Sequence, residues 1–324
     1  MGYDEFLTEW HNDSPTLLVH TSGSTGQPKP LLVEKRRMEA SARITCQFLG
    51  LKEGDTALLC MSLDYIAGKM MVVRALTCGL RLVSVEPTGC PEWEGDIDFA
   101  AMVPLQVWNL LHSDAGCKRL KQVRHLIIGG GSISPELEQA LQEFPNAVWS
   151  TYGMTETLSH VALRRLNGPE RSEWYSPLEG VDVSLNDEDC LVINAPAVHD
   201  GPLVTNDICV LQGEHQLKFR ILGRKDNVIC SGGLKIQIEE VEQLLRPHLH
   251  LPFLITKAPD PRLGEQMVLL TESENRDDLC QCCREVLPRY WQPRRIITVP
   301  HIPMTETGKP ARAQAARLAA AMQS

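Results

Sequence analysis

Short apolar runs and amphipathic segments alternate along the first half of the chain. Between residues 34 and 49 the positions Met38, Ala42 and Leu49 follow helical spacing, and Gly50 marks a helix end. Buried strands separate such helices, which indicates a mostly parallel sheet with helices on its faces. The predicted helices are 34–49, 66–78, 104–111 and 135–144, and the predicted strands are 16–19, 56–61, 81–85, 99–103 and 124–128.

Beyond residue 160 the pattern changes to short β-like segments separated by glycine, asparagine or proline. From Gly223 onward, helices and strands alternate in a third pattern, of α+β type. We therefore expect an α/β fold with a large domain over residues 1–222, which has a mostly parallel sheet with flanking helices and a small β subdomain. A small α+β domain over residues 223–324 follows. The later predicted strands are 160–166, 181–185, 190–194, 208–211, 216–221, 253–257, 266–271 and 295–299, and the later helices are 238–245, 277–287 and 311–322.

The composition places limits on the class of protein. The 324 residues are 43% hydrophobic and 23% charged, which is typical of a soluble globular protein. A formal net charge of -9 argues against a broad nucleic-acid surface. No apolar run approaches the ~20 residues that span a bilayer, and the acidic N-terminus lacks a signal-peptide core. We expect a cytoplasmic protein that does not insert into membranes.

The eleven cysteines are an odd number and lie mostly in apolar stretches, as Cys46, Cys60 and Cys209 do. Buried reduced thiols explain this distribution better than a disulfide framework does. The one dense group, Cys280-Gln-Cys282-Cys283, lacks a second pair at zinc spacing, so a metal site there is the less favoured interpretation.

Residues 20–29 follow the first predicted strand and combine four hydroxyl side chains, two glycines and a lysine. Glycines let backbone N–H groups approach an anion, hydroxyls donate hydrogen bonds and lysine supplies charge, so this stretch predicts a phosphate-binding loop. It does not match the Walker pattern, and a surface turn is the alternative. The candidate phosphate ligands are Thr21, Ser22, Gly23, Ser24, Thr25, Gly26 and Lys29.

A second polar group, Ser150-Thr-Tyr-Gly-Met-Thr-Glu-Thr157, follows the predicted strand 147–149. Ligands of open α/β sheets gather at the carboxyl ends of the strands. There Tyr152 can stack on a purine, Thr155 can donate to a phosphate, and Glu156 can hold Mg²⁺ through oxygen. The alternative is a helix start that is capped by Thr155.

Both stretches resemble motifs of the acyl-adenylate-forming superfamily, which includes acyl-CoA ligases, peptide-synthetase adenylation domains and luciferases. The first resembles the phosphate loop, and the second matches the Y-G-x-T-E motif from Tyr152 to Glu156, with Gly153 in place. The resemblance implies ATP, Mg²⁺ and coenzyme A as ligands, and a truncated AMP-binding fold for the large domain. It also assigns the adenine-binding turn to a triple glycine, Gly129, Gly130 and Gly131. A triple glycine alone is a weak signal, because glycine marks any tight turn.

Further motifs follow in the order of the family. Thr205-Asn-Asp207 resembles the T-G-D motif, whose aspartate accepts hydrogen bonds from both ribose hydroxyls. Asn206 replaces the usual glycine and tolerates positive φ, so we expect the turn to survive; an ordinary Asn-Asp turn is the alternative. By the same resemblance Arg224 contacts ribose or phosphate, and Asp226 is the hinge between the domains.

The resemblance assigns two more roles in the last third of the chain. A loop after Ser231 swings in to shape the thioester site and includes Gly232, Gly233 and Lys235. Lys309, which ends a P-x-x-x-x-G-K motif, bridges the acyl carboxylate and the α-phosphate. Lysine suits that role, because its ammonium group is a compact charge at the end of a long, flexible side chain.

The chain departs from the family pattern in two respects. Members of usual size carry a long segment before the phosphate loop, which here starts at residue 20, so we expect most of an N-terminal subdomain to be missing. A homodimer is a hypothesis for restoring the wall of the acid site. Tyr65 stands where histidine is common in the acyl gate. Ser159 and His160 are candidates to face the acid, and a core histidine is an equal alternative.

The run from residue 223 to residue 242 looks most like that of the o-succinylbenzoate–CoA ligases of menaquinone synthesis. That resemblance implies that ATP activates a small carboxylic acid as its acyl-adenylate and that CoA then takes the acyl group. Another acid, or a carrier protein in place of CoA, is the alternative within this chemistry. A non-catalytic nucleotide-binding relative is the alternative outside it.

Overall fold

The computed structural model of the protein describes residues 1–20, 30–214, 216–305 and 309–322. The helices in these residues are α1 (Tyr3–His11), α2 (Lys35–Leu49), α3 (Ile66–Cys78), α4 (Pro104–Leu111), α5 (Asp114–Lys121), α6 (Pro135–Leu141), α7 (Ile238–Leu245), α8 (Arg276–Val286) and α9 (Arg312–Ala321). The strands are β1 (Thr16–His20), β2 (Pro30–Glu34), β3 (Thr56–Leu59), β4 (Arg81–Ser84), β5 (Ile97–Met102), β6 (Val123–Ile128), β7 (Ala147–Gly153), β8 (His160–Arg165), β9 (Ser176–Pro177), β10 (Asp182–Leu185), β11 (Cys190–Asn194), β12 (Leu203–Gln212), β13 (Lys218–Arg224), β14 (Val228–Ser231), β15 (Leu234–Gln237), β16 (Phe253–Asp260), β17 (Gly264–Thr271) and β18 (Arg295–Thr298).

The largest sheet has seven strands in the order β4-β3-β5-β6-β7-β8-β9. Its first five strands in that order are parallel, and β8 and β9 continue it antiparallel. Side chains of β5 alternate between two apolar clusters, with Phe99 and Ala101 in one and Ala100 and Met102 in the other. A parallel sheet covered by helices on both faces has this pattern, so the predicted α/β fold is confirmed.

Two smaller sheets follow along the chain. Strands β10 to β13 form an antiparallel sheet, which confirms the predicted β subdomain. The last sheet has the order β15-β14-β17-β16, with β18 beside β17. Val241 of α7 and Leu279 of α8 share one apolar cluster of this sheet, and Ala315 of α9 lies in another. The chain passes from one sheet to the other between Arg224 and Val228; a domain division at residue 223 remains a prediction.

Some elements are not foreseen by the sequence pattern. Helix α1 places its apolar residues among acidic ones, and it is fixed by packing, since Phe6 and Trp10 are buried in the main core. Strand β2 and helix α5 are also additional. Strand β7 continues beyond Trp149 to Gly153, so that Tyr152 lies on a strand rather than in the loop that follows.

One expectation at the T-N-D motif is wrong, because Asn206 does not lie in a turn. Strand β12 runs through it from Leu203 to Gln212. Among the described residues other than glycine, only Leu158 and Asp189 have positive φ. The side chain of Asn206 therefore projects from a strand, and the backbone reason for asparagine does not apply.

The cysteines agree with the prediction of reduced thiols. All eleven lie in the described residues and are free, and five of them are buried. Within the described part of the chain, no helix combines the length and the apolar character needed to cross a bilayer.

Candidate active site

The carboxyl ends of β5, β6 and β7 lie at one edge of the large sheet. Directly after β6, the Gly129 N–H donates to the Met102 carbonyl oxygen at 3.0 Å. A Cβ at Gly129 would lie 2.3 Å from Thr151 Oγ1 of β7, so a larger residue would have to displace the Thr151 hydroxyl. Gly130 has a φ of 77°, and Gly131 follows it. The predicted adenine-binding turn therefore lies where ligands of open α/β sheets gather.

Tyr152, Asp207 and Arg224 form a hydrogen-bonded chain across two sheets. The Tyr152 hydroxyl donates to Asp207 Oδ2 at 2.6 Å, and Arg224 Nη1 donates to Asp207 Oδ1 at 2.9 Å. Arg224 Nη2 also donates to Asp226 Oδ2 at 3.0 Å. Burial and the charge of Asp207 raise the pKa of Tyr152, which keeps its hydroxyl protonated. The residues predicted to bind ribose and to form the hinge are thus adjacent.

The ring of Tyr152 belongs to an aromatic cluster between the seven-stranded and four-stranded sheets. It packs edge-on against Phe219 of β13, with ring centroids 5.0 Å apart, and Tyr175 stacks on Phe219 at 5.4 Å. Tyr152 is only 8% exposed, so little of its ring is open to a ligand. Stacking of this ring on a purine remains a prediction.

The polar residues after β7 lie in a tight 3-10 turn, Thr155–Thr157. Thr157 Oγ1 accepts a hydrogen bond from the Met154 N–H at 3.0 Å, which closes the turn. Gly153 approaches β8 so closely that a Cβ would lie 2.3 Å from the Ser159 carbonyl oxygen. The alternative of a helix capped by Thr155 is wrong, because Met154 occupies the cap position of this short turn.

Glu156 is exposed in this turn, whereas Thr155 beside it is buried. In the ranges that the structure describes, no three His, Cys, Asp or Glu side chains are grouped to hold a metal by themselves. Mg²⁺ at nucleotide sites is usually held by one or two carboxylates together with substrate phosphates. A single exposed glutamate at a strand end fits that mode of binding.

Lys309 lies beside the glycine turn although it is distant in sequence. Its Cε is 4.0 Å from the position that a Cβ at Gly131 would take. The backbone N–H of Lys309 donates to Thr305 Oγ1 at 3.0 Å. Burial and the positive charge of Arg224 lower the pKa of Lys309. A desolvated cation at this place attracts an anion more strongly than one in water does.

Arg74 of α3 is a buried cation, at 2% exposure. Its Nη2 donates to Ser159 Oγ at 2.5 Å and lies 3.5 Å from Thr45 Oγ1, while its Nε has no partner. Burial lowers its pKa to about 10, and the groups that oppose this shift are the thiols of Cys46 and Cys78. Within the described residues, no carboxylate forms an ion pair with this guanidinium.

His160 joins the same buried cluster. Its Nε2 lies 3.0 Å from Thr45 Oγ1 and its Nδ1 3.3 Å from Ser159 Oγ. Burial and the charge of Arg74 lower its pKa well below 6.5, so the ring is neutral. It also lines a small apolar cleft with Ile44 and other residues of α2 and β8. Ser159 and His160 thus adjoin Arg74, and a contact with the acid remains a prediction.

Other predicted residues lie elsewhere. Gly232 and Gly233, with φ of 58° and 84°, turn the exposed β14–β15 hairpin, which also carries Lys235. Tyr65 is 41% exposed and precedes α3. The strands that flank the predicted phosphate loop pair as far as His20 and Pro30. The loop candidates themselves lie outside the described residues: Thr21, Ser22, Gly23, Ser24, Thr25, Gly26 and Lys29.

The sequence motifs do not identify two charged side chains, Arg74 and Arg312, that the structure places in or next to the site. Arg74 interrupts the apolar run Met70-Met-Val-Val, and a lone charge inside such a helix is a usable signal. Arg312 pairs with Glu242 through two bonds of 2.7 Å, and this pair fastens the start of α9, just after Lys309, to α7. No local pattern connects residues so far apart in the chain.

Comparison with known proteins identifies the family of the chain. The model of the AMP-binding enzyme family matches residues 4–213. A 2-succinylbenzoate–CoA ligase of Escherichia coli (strain K12) is 28% identical over 305 residues, which are 90% of this chain and 66% of that protein. The chain therefore spans just under two thirds of the length of that curated relative.

Solved structures show the same fold. An acyl-CoA synthetase (AMP-forming)/AMP-acid ligase II-like protein from Dyadobacter fermentans has 33% identity and a TM-score of 0.65, covering 96% of this chain and 92% of that one. The o-succinylbenzoate coenzyme A synthetase of Bacillus subtilis, solved with ATP and a magnesium ion, has 21% identity and a TM-score of 0.71, covering 92% and 69%. Since the family match covers more than half of the residues, the chain belongs to the AMP-binding enzyme family.

Proposed function

We propose that the protein is an ATP-dependent acid–CoA ligase that forms an acyl-adenylate, with 2-succinylbenzoate (o-succinylbenzoate) as the acid. A carboxylate oxygen of the acid attacks the α-phosphorus of ATP, and pyrophosphate leaves. The CoA thiol then loses its proton, its sulfur attacks the acyl carbon, and AMP leaves with the electron pair. The observation that carries this proposal is that Lys309 lies at the glycine turn and feels the charge of Arg224, which itself donates to Asp207.

The residues of the chain provide positioning and charge, and none needs to act as a nucleophile. Tyr152 and Arg224 hold both oxygens of Asp207, which orients that carboxylate to accept hydrogen bonds from ribose hydroxyls. Lys309 offers its charge where negative charge builds up between the acid and the α-phosphate. Mg²⁺, held by Glu156 and the phosphates, would neutralise part of the phosphate charge.

Arg74 supports an acid with two carboxylates. A buried guanidinium without a carboxylate partner is costly, and a carboxylate on the substrate would supply the missing counter-ion. Ser159 and Thr45 already hold the guanidinium in place. 2-Succinylbenzoate carries one carboxylate to be activated and a second to be recognised, and it is the acid named for the E. coli relative.

The second step requires a different arrangement of the C-terminal residues. We propose that residues 223–324 rotate about Asp226 against residues 1–222, which removes Lys309 from the glycine turn. The same motion brings Gly232, Gly233 and Lys235 to the acyl carbon, where CoA attacks. The exposed position of this hairpin leaves it free to make such a contact.

ATP–pyrophosphate exchange tests the proposal directly. Purified protein is assayed with 2-succinylbenzoate, benzoates and fatty acids, with and without CoA. We expect exchange with 2-succinylbenzoate and a CoA thioester as product, and loss of exchange in Lys309→Ala with thioester formation from supplied acyl-AMP largely retained. Exchange only with another acid would refute 2-succinylbenzoate as the substrate. Transfer of the acyl group only to a carrier protein would refute CoA as the acceptor. ATP binding without any exchange would refute the catalytic proposal.

We infer a cytoplasmic location for the protein, which cell fractionation would test.

We also infer that the protein forms a homodimer. The apolar side chains of Phe48 on α2 and Leu76 on α3 are 40% and 41% exposed and offer a surface for this contact. Light scattering at working concentration should give a mass of twice the 36.1 kDa of the chain. A single species of 36.1 kDa would refute the dimer.

A further inference from the structure

The side chain of Asn206 contacts the predicted hinge. Its Nδ2 lies 3.2 Å from each carboxylate oxygen of Asp226. Because Asn206 lies in β12, next to Asp207, its side chain joins the ribose-binding strand to the hinge. A glycine at this position, as in the T-G-D motif, has no atom with which to make this contact.

Consecutive hinge residues bind to different parts of the fold. Lys225 pairs with Glu188 of the turn between β10 and β11 at 2.6 Å, and Asp226 accepts from Asn206 of β12 in the same four-stranded sheet. The next residue, Asn227, donates to Glu239 of α7. Gln237 of β15 also donates to the Arg224 carbonyl oxygen at 3.0 Å, so both parts of the fold contact the hinge. A rotation about Asp226 changes the backbone angles of this residue and thereby moves its carboxylate relative to Asn206.

The observed arrangement is the one that suits the first step. Lys309 lies against the glycine turn, and its electrostatic neighbour is Arg224, which itself donates to Asp207 and Asp226. Asn206, Arg224 and Asp226 thus form one polar group that holds the hinge while Lys309 is in place.

We propose that Asn206 is a positioning residue that holds the hinge carboxylate of Asp226 and thereby stabilises the adenylate-forming arrangement over the thioester-forming one. This inference rests on the proposed function, because it assumes that both arrangements are used. Asn206 is exposed and the Asp226 side chain is 46% exposed, so the effect is modest. Exposed charge-assisted contacts change an equilibrium by about two- to fivefold.

Limited trypsin digestion tests the contact without requiring activity. Arg224 and Lys225 are cleavage sites in the hinge, and a released hinge is cut faster. We expect Asn206→Ala to raise the cleavage rate there by about threefold, within the range for exposed contacts. Asn206→Asp should raise it further, because two carboxylates then face each other. Asn194→Ala, at an exposed asparagine of the adjacent strand β11, is the matched control and should cleave at the parent rate.

An exchange of the two side chains provides the rescue. In Asn206→Asp combined with Asp226→Asn, the amide and the carboxylate change places and the hydrogen bond can form again. We expect cleavage to slow towards the parent rate, whereas a purely structural role of either residue predicts additive damage. Parent-rate cleavage in both single variants at Asn206 would overturn the proposal, and so would a double variant that cleaves faster than Asn206→Asp.

The half-reactions connect the contact to catalysis. We expect Asn206→Ala to slow pyrophosphate exchange by about threefold, as judged for exposed contacts, and to leave thioester formation from supplied acyl-AMP equal or faster. Equal slowing of both half-reactions would contradict the proposal. If the unmodified protein supports no exchange with any acid, the proposed function fails by itself, and the digestion still decides whether Asn206 holds the hinge.

Discussion

Replacing Arg74 by methionine should stabilise the fold and impair the recognition of a dicarboxylic acid. Methionine is unbranched and apolar, and it fills the space of the arginine stem beside Met71 and the Phe99 ring, which lies 5.8 Å from the guanidinium. The substitution removes a buried cation that lacks a carboxylate partner in the described residues. Natural proteins keep such a destabilising group where function requires it.

The magnitude follows from the pKa of the guanidinium. Burial lowers the pKa of Arg74 from 12.5 to about 10. At about 1.4 kcal/mol for each pH unit, burial destabilises the charged form by about 3 kcal/mol. The lost hydrogen bonds offset about 1 to 2 kcal/mol of this. The hydroxyls left behind keep partners, because Thr45 bonds to the Ser41 carbonyl and to His160, and Ser159 also bonds to His160. A net stabilisation of about 1 to 2 kcal/mol is therefore expected.

Urea denaturation of Arg74→Met measures the first effect, and pyrophosphate exchange measures the second. The unfolding midpoint should rise at an unchanged m-value, while kcat/KM for 2-succinylbenzoate falls and that for benzoate stays close to the parent value. Arg43→Met, at a 60% exposed arginine of α2, is the control and should change neither quantity appreciably. A destabilised Arg74→Met with unaltered selectivity between the two acids would refute the reasoning.

Three other predictions rest on single groups. Because burial and Arg224 lower the pKa of Lys309, kcat/KM for adenylation should decline at a pH below the ordinary lysine value of 10.5, and Lys309→Arg should lack this alkaline limb. The pKa of His160 is depressed, so below about pH 6.5 the unfolded chain binds a proton that the folded chain does not. The free energy of unfolding therefore decreases as the pH is lowered through this range. Between about pH 7.5 and 5.5 the parent should lose about 1.4 kcal/mol more than His160→Gln in urea denaturation; equal losses would contradict a buried neutral ring. Glu242→Ala leaves Arg312 with the Ile255 carbonyl oxygen but no carboxylate partner, and should cost about 3 kcal/mol of stability. Pyrophosphate exchange should also slow because the Lys309 segment loosens, whereas full stability would show the ion pair to be dispensable.

The sequence predicts the elements that combine a long apolar run with clear boundary residues. Helix α3 begins and ends where the pattern from Ile66 to Cys78 predicts, with Gly79 at positive φ after it. Helix α1 is not predicted, because it has only nine residues and its apolar side chains stand among acidic ones; the core that receives Phe6 and Trp10 stabilises it. The local sequence pattern thus predicts a helix such as α3, whereas tertiary packing stabilises a helix such as α1 that the pattern does not predict.

The candidate site was predictable where short motifs carry it and unpredictable where distant residues meet. Asp207 and Arg224 are found from motifs, and the antiparallel pairing of β12 with β13 places them opposite each other. The proximity of Arg74 to Ser159 depends on the packing of α3 against the turn after β7, which no spacing in the sequence encodes. At Asn206 the motif identifies the departure from glycine but predicts the wrong backbone, because the side-chain contact with Asp226, and not a positive φ angle, distinguishes this residue from glycine.

In the part of the chain that the structure describes, Arg74 has no carboxylate partner, and this also limits how selective the acid site can be. In the free protein the guanidinium already bears its burial penalty of about 3 kcal/mol. An acid without a second carboxylate loses nothing further on binding, because Arg74 stays as it was, so the preference comes from the carboxylate contact alone. A contact worth about 3 kcal/mol corresponds to a preference in kcat/KM of about a hundredfold for 2-succinylbenzoate over a benzoate of similar size. A larger preference that persists in Arg74→Met would place recognition of the succinyl carboxylate on another group.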